Sequence, residues 1–116
     1  MTNSATSPLP VSEPVFFILL SLASGQKHGY AILKEIEAMS RETLLLSTST
    51  LYGALSRLEE QGYIRRVPAG QQVAPGLPRK VYELTPHGLD LLHGEAERLR
   101  RMSHIAQHYL PKALPS

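Results

Sequence analysis

Behind Ser12-Glu13-Pro14 stand six apolar residues in a row, Val15-Phe16-Phe17-Ile18-Leu19-Leu20. A capping hydroxyl, an acid and a first-turn proline start a helix there, and Ser24-Gly25 ends it. Six successive apolar positions cover every face of a helix, and such a helix must be buried on more than one side. A chain of 116 residues supports one domain and has too little mass to enclose that helix alone. The run therefore predicts a second chain packed against it. It is far short of a membrane span, and with Glu13 rather than basic residues before it, it is not read as a secretory leader.

The rest of the chain reads as an α+β unit. A second helix over residues 29–40 sets Ile32, Leu33, Ile36 and Met39 on one face and Tyr30, Lys34, Glu37 and Arg41 on the other. Thr48 or Ser49 caps a third helix over residues 50–61, with Gly62 as its stop. Its core stripe is Leu51, Ala54, Leu55 and Leu58; Ser49, Tyr52, Gly53, Ser56, Arg57 and Glu60 are expected to lie outward. The period then changes: Tyr63-Ile64-Arg65-Arg66-Val67 and Lys80-Val81-Tyr82-Glu83-Leu84 read as strands. The breaker-rich residues 68–78 between them make the pair a hairpin with a long tip. Thr85-Pro86 opens the last helix. In it Leu89, Leu92, Ala96, Leu99, Ser103, Ala106 and Leu110 recur at alternating spacings of three and four, a heptad seam. Three helices, a two-stranded wing and a long final helix define a winged helix-turn-helix. Residues 1–12 are expected as a flexible tail, 13–85 as the winged-helix domain, 86–110 as a dimerisation helix and 111–116 as a second tail.

Composition removes several kinds of chemistry. The chain has no cysteine, which excludes disulfides, thiolate zinc sites and cysteine nucleophiles and permits a reducing, cytoplasmic location. Two Phe, five Tyr and no Trp leave little for a large aromatic pocket within one chain. No glycine-rich phosphate loop, nucleophile elbow or HExxH is present. Pairs such as Lys34/Glu37, Arg57/Glu60 and Glu97/Arg101 are surface pairs that perturb little. The chain is therefore not read as an enzyme. His93, Glu97, His104 and His108 lie near one face of the last helix, and His104/His108 have chelating i,i+4 spacing. They read as a solvated helix face rather than a metal site, and no metal or other cofactor is assigned.

The net charge of +2 decides nothing, but residues 63–84 alone carry +3. That segment is the predicted wing. The third helix begins Ser47-Thr48-Ser49-Thr50, whose short side chains let an anion approach its free N–H groups and positive dipole end. Thr50, Tyr52 and Arg57 are the candidates for base-proximal contact, with Gly53 allowing close approach. Tyr52 either meets a thymine methyl or packs on the core. Ser47, Ser49, Tyr30, Lys34, Arg79 and Lys80 are the candidates for phosphate contact. His28, ahead of the second helix, reads as a cap in preference to a phosphate contact. A winged helix also serves as a protein–protein adaptor without nucleic acid. The basic wing argues for DNA, and Glu59 and Glu60 sit too late in the third helix to enter a groove.

Three ordered blocks carry a more specific signal. They are His28-Gly29-Tyr30 with Ile32-Leu33-Lys34-Glu35-Ile36-Glu37; Ser49-Thr50-Leu51-Tyr52-Gly53-Ala54-Leu55-Ser56-Arg57-Leu58-Glu59-Glu60-Gln61-Gly62-Tyr63-Ile64; and Pro78-Arg79-Lys80-Val81-Tyr82-Glu83-Leu84-Thr85-Pro86-His87-Gly88. Over residues 14–92 the chain resembles the PadR family of bacterial transcriptional regulators. Family members usually carry Pro-Gly or Ser-Gly before the Thr-Leu-Tyr and often Pro after the Tyr. Thr48-Ser49 and Gly53 stand there instead, so base preferences are not carried over. The resemblance implies a homodimeric repressor, dimerised through its first and last helices, that reads double-stranded promoter DNA with the third helix and wing. It also implies a small aromatic effector between the dimer halves, where Phe16, Phe17, Met102 and Tyr109 either line a cavity or form core. The apolar first helix and the heptad seam point to a dimer without it. The interface is assigned to Phe16, Phe17, Leu20, Leu92, Leu99, Met102, Ala106 and Tyr109. A two-fold dimer is expected to bind a pseudo-palindrome.

Overall fold

The computed structural model describes residues 11–68 and 80–112. Helix α1 (Glu13–Leu22) starts as its sequence dictates: the Ser12 hydroxyl accepts from the Val15 amide at 3.3 Å, and Pro14 sits in the first turn. Ile18, Leu19 and Leu22 are buried, Phe16 and Phe17 are half-buried, and Leu20 faces solvent. One chain thus covers only part of this helix.

Gly25, at φ 141°, turns the chain into a two-residue strand, β1 (Lys27–His28), that pattern reading missed. Two residues are too few to show an alternation. Lys27 also closes the end of α1. Its ammonium donates to the Ser21 carbonyl at 2.6 Å and to the Ser24 hydroxyl at 2.7 Å, and pairs with Glu35 at 3.2 Å. A cation suits the negative end of a helix dipole.

Helix α2 (Gly29–Met39) buries Ile32 and Ile36. His28 occupies its N-cap position but makes no side-chain cap bond, so the expected capping role falls away: its backbone is held by β1 instead. The helix ends with the Glu42 amide on the Glu37 carbonyl at 2.8 Å and the Arg41 amide on the Ala38 carbonyl at 3.2 Å. This is a Schellman arrangement. Arg41 (φ 54°) and Glu42 (φ 65°) both adopt the left-handed conformation there.

Helix α3 (Thr48–Glu60) begins two residues earlier than expected. Its cap is Ser47, whose hydroxyl accepts from the Thr50 amide at 3.1 Å. Four hydroxyl residues in a row can each cap, so only packing of the next turn selects one. Leu51, Ala54, Leu55 and Leu58 form the buried stripe, and Gly62 (φ 81°) follows the C-cap as the stop.

Strands β2 (Ile64–Val67) and β3 (Val81–Leu84) pair antiparallel, from Ile64 opposite Leu84 to Val67 opposite Val81. β1 joins the far side of β3, so the sheet has three strands in the order β1-β3-β2. β3 is therefore central. Val81 and Tyr82 are both buried, against the simple alternation expected of a free hairpin. The tip, residues 69–77, and Arg79 lie outside the described residues.

Helix α4 (Pro86–Tyr109) starts with the Thr85 hydroxyl accepting from the Gly88 amide at 3.0 Å. With 24 residues it is about 36 Å long at 1.5 Å per residue. Gly88, Leu92 and Glu95 are buried; every position from Leu99 to Lys112 is exposed. α4 thus leaves the body of the fold halfway along.

Candidate nucleic-acid interface

The first turn of α3 presents Ser47, Thr48, Ser49 and Thr50 to solvent. Ser47 holds the group together: its hydroxyl lies 2.9 Å from that of Thr50 and 3.3 Å from that of Ser49. The cap satisfies the Thr50 amide and leaves the two preceding N–H groups aimed outward, the usual state of a helix start. Arg57 is exposed on the same helix. A Cβ placed on Gly53 would lie 3.7 Å from its guanidinium, so the side chain runs back along the outer face toward the first turn. Among the described residues Arg57 and Lys80 form no ion pair, and both are exposed. Tyr30 is 65% exposed on α2, with the Lys34 ammonium 5.5 Å from its ring centroid. Lys34 also faces Glu37 at 3.8 Å.

Tyr52 does not join this surface as a free outward group. It is half-buried and packs on the core, and its hydroxyl lies where a side chain on Gly29 would be: a Cβ there would stand 2.3 Å from the phenol oxygen. Two of the sequence blocks, His28-Gly29-Tyr30 and Thr50-Leu51-Tyr52, are therefore two sides of one contact between α2 and α3.

The wing carries less free charge than its sequence suggests. Arg65 pairs with Glu83 across β2 and β3, and Gln26 donates to the other oxygen of Glu83 at 2.8 Å. These bonds, Gln26 first and Arg65 second, hold the Glu83 carboxyl below the usual range. Arg66 pairs with Glu59 of α3 at 3.0 Å. Glu59, late in α3, thus tethers the wing.

The predicted interface residues separate into three groups. Leu20, Leu99, Met102, Ala106 and Tyr109 are exposed, Tyr109 at 80%. Ile105, which the three-and-four seam omitted, is exposed beside them. Leu92 is only 7% exposed and belongs to the core of its own chain, so it has almost no surface to give a partner. Phe16 and Phe17 lie between, half-buried, in a cleft of about 280 Å³ between α1 and α4, whose other walls are Val11, Glu13, Glu95, Arg98 and Leu99. Met102 and Tyr109 do not line it. Glu95, buried at its edge, takes a two-pronged bond from Arg98 at 3.0 and 2.7 Å. Glu97 pairs with Arg100 rather than the expected Arg101. Among the described residues no cluster of three His, Asp or Glu can hold a metal, and no helix is long and apolar enough to cross a membrane.

Three helices, a third one with an exposed hydroxyl-rich start, and a small sheet whose hairpin is the wing define the winged-helix class. The chain belongs to the transcriptional regulator PadR-like family, whose model matches residues 18–94. It is similar to a PadR family transcription regulator of Clostridium difficile R20291, at 27% identity and a TM-score of 0.71, over 86% of this chain and 100% of that one. A transcriptional regulator from Clostridium thermocellum is 25% identical with a TM-score of 0.70, over 87% of this chain and 99% of that one. The fold also matches Bacillus subtilis PadR in complex with operator DNA, at 23% identity and a TM-score of 0.58, over 88% of this chain and 52% of that one. An uncharacterised 37.1 kDa protein in transposon TN4556 of Streptomyces fradiae is 38% identical over 92 residues, 79% of this chain. The chain spans 24% of that relative's length.

Proposed function

We propose that this protein is a cytoplasmic homodimer that binds a pseudo-palindromic operator in double-stranded DNA and represses transcription from it. The observation that carries the reading is the exposed first turn of α3, with its free N–H groups and hydroxyls, and the exposed Arg57, which has no ion-pair partner among the described residues. A helix start of this kind accepts phosphate and brings the next turn to base edges. Family membership supports it, and so does the operator DNA bound by the Bacillus subtilis protein of the same fold. Ser47, Ser49, Tyr30, Lys34, Arg79 and Lys80 take phosphates; Thr50 and Arg57 approach bases; Tyr52 sets the angle of α3 against α2. Residues 13–85 form the DNA-binding part. Residues 86–110 dimerise through the exposed Leu99, Met102, Ala106 and Tyr109, and Leu20, Phe16 and Phe17 of α1 complete the seam.

The test is fluorescence anisotropy on the protein's own upstream duplex and on a shuffled duplex, across a salt series. Tighter binding to the native duplex, with a slope reporting several released counterions, is expected. Absence of binding to either duplex at low salt would overturn the reading in favour of a protein–protein adaptor.

The cleft between α1 and α4 supports a second element of the reading, a small aromatic effector. Its walls are Phe16, Phe17 and Leu99, and Arg98 and Glu95 supply charge at its edge. Thermal shifts against a panel of phenolic compounds test it; a flat response across the panel removes the effector.

A further inference from the structure

The base of α4 is fastened directly to the end of α3. The Thr85 hydroxyl donates to the Gly62 carbonyl at 2.6 Å, and the Thr85 amide donates to the Tyr63 carbonyl at 3.1 Å. The His87 ring stacks on Tyr63, with centroids 4.5 Å apart and planes 14° from parallel. Gly88 is buried, and a Cβ there would stand 2.0 Å from the Tyr63 carbonyl oxygen and 3.0 Å from Leu84 Cδ1. Gly62 and Tyr63 are in turn bonded to the last turn of α3, the Gly62 amide to the Glu59 carbonyl at 3.1 Å and the Tyr63 amide to the Leu58 carbonyl at 3.0 Å. Few rotatable bonds separate the two helices at this corner.

Seen from this corner, α4 is a lever of 24 residues, exposed at every position from Leu99 to its end. A change of about 10° at the base of a ~36 Å helix moves its tip by about 6 Å, close to two base-pair steps along DNA. We propose that Thr85, His87 and Gly88, clamped on Gly62 and Tyr63, are positioning residues that set the separation of the two α3 helices in the dimer. They would thereby choose the half-site spacing of the operator. The inference rests on the dimeric, DNA-binding reading above. It assigns a specificity role to residues that touch neither DNA nor the partner.

The Gly88 contact is the most restrictive. Backbone lies within a bond length or so of any added methyl, so α4 must tilt or slide to admit one. The His87 stack is exposed and can be removed without filling space.

The experiment selects a half-site with the wild-type protein from a random duplex pool. Two inverted copies are then placed at every separation across one helical turn, beside a duplex with a single half-site. Binding is measured for the wild type, Gly88→Ala, His87→Ala and Thr85→Ser, with dimer mass followed by sedimentation. The wild type and Thr85→Ser, which keeps the hydroxyl, should share one sharp optimum. Gly88→Ala and His87→Ala should shift it by a base pair or more, or flatten the contrast between best and worst separations by about tenfold. Single half-site affinity and dimer mass should not change. An unaltered optimum and contrast in both variants overturns the proposal, as does a parallel fall in single half-site affinity, which marks a merely structural role. If Gly88→Ala does not fold, His87→Ala decides alone. A wild type that is monomeric, or indifferent to spacing, overturns the dimer reading itself.

Discussion

Gly29 and Tyr52 show how one side chain missing on α2 positions another on α3. The ring fills the space a Cβ would need. Gly29→Ala should cost about 1–3 kcal/mol through forced repacking, measured by urea denaturation. Its cost should shrink in a Tyr52→Ala background, because the two sites are in contact and their effects do not add. Arg41 is the opposite case, a side chain where glycine is preferred. It takes the left-handed position of the Schellman turn after α2. Strain of roughly 1–2 kcal/mol attaches to that conformation in a non-glycine residue, and glycine gives part of it back as extra freedom in the unfolded chain. Arg41→Gly should therefore raise stability by about 0.5–1 kcal/mol, read as a higher denaturation midpoint. An unchanged or lowered midpoint would show that Arg41 makes a compensating contribution.

At the scale of elements, α1 and α4 meet at Glu95, the one charged residue that is nearly fully buried among those described. The Arg98 fork, helped by the Val11 amide, holds its carboxyl below the ordinary range. Because the folded value lies below the unfolded one, the pair's contribution is complete above the ordinary carboxylate range. It is lost as pH falls through the lowered folded value. Glu95→Gln should cost about 1–2 kcal/mol at neutral pH, given the strength of charge-assisted bonds. The gap to the wild type should close in acid, which a series of thermal melts against pH would follow. The wing is held by the same physics. Arg65 and Arg66 are each spent on a carboxylate, so Lys80 is the free cation of the wing base among the described residues. Lys80→Ala should weaken binding to native and shuffled duplexes alike and reduce the salt slope by about one, whereas Arg65→Ala should leave the slope nearly unaltered.

At the scale of the molecule, the notable surface is apolar rather than charged. Leu99, Met102, Ile105 and Tyr109 stand out from a helix that the rest of the chain stops supporting. Exposed apolar residues in a row mark a surface that another chain covers. Leu99, 43% exposed, lies on that surface rather than in the core. Leu99→Glu should therefore leave the chain folded and yield monomers in sedimentation, with operator affinity falling toward that of a single half-site. A dimer that survives the substitution would place the seam elsewhere.

Much of this was legible in the residues themselves. Hydroxyl caps, first-turn prolines, the stop at Gly62 and the apolar stripes of α2 and α3 are local rules, obeyed within a few residues of where they are written. The winged-helix order follows from them, and so does the exposure of Ser49, Thr50 and Arg57. Tertiary packing decided what depends on residues far apart in sequence. It chose Ser47 among four eligible caps, added β1 to the sheet although two residues carry no period, and turned Tyr52 inward onto Gly29. It withdrew Arg65 and Arg66 into ion pairs with partners that no helical spacing connects to them, and it placed Leu92 of the seam in the core while leaving Ile105, outside the seam, exposed. A heptad pattern says that a face is apolar; whether its own chain or another covers it depends on where the rest of the fold ends.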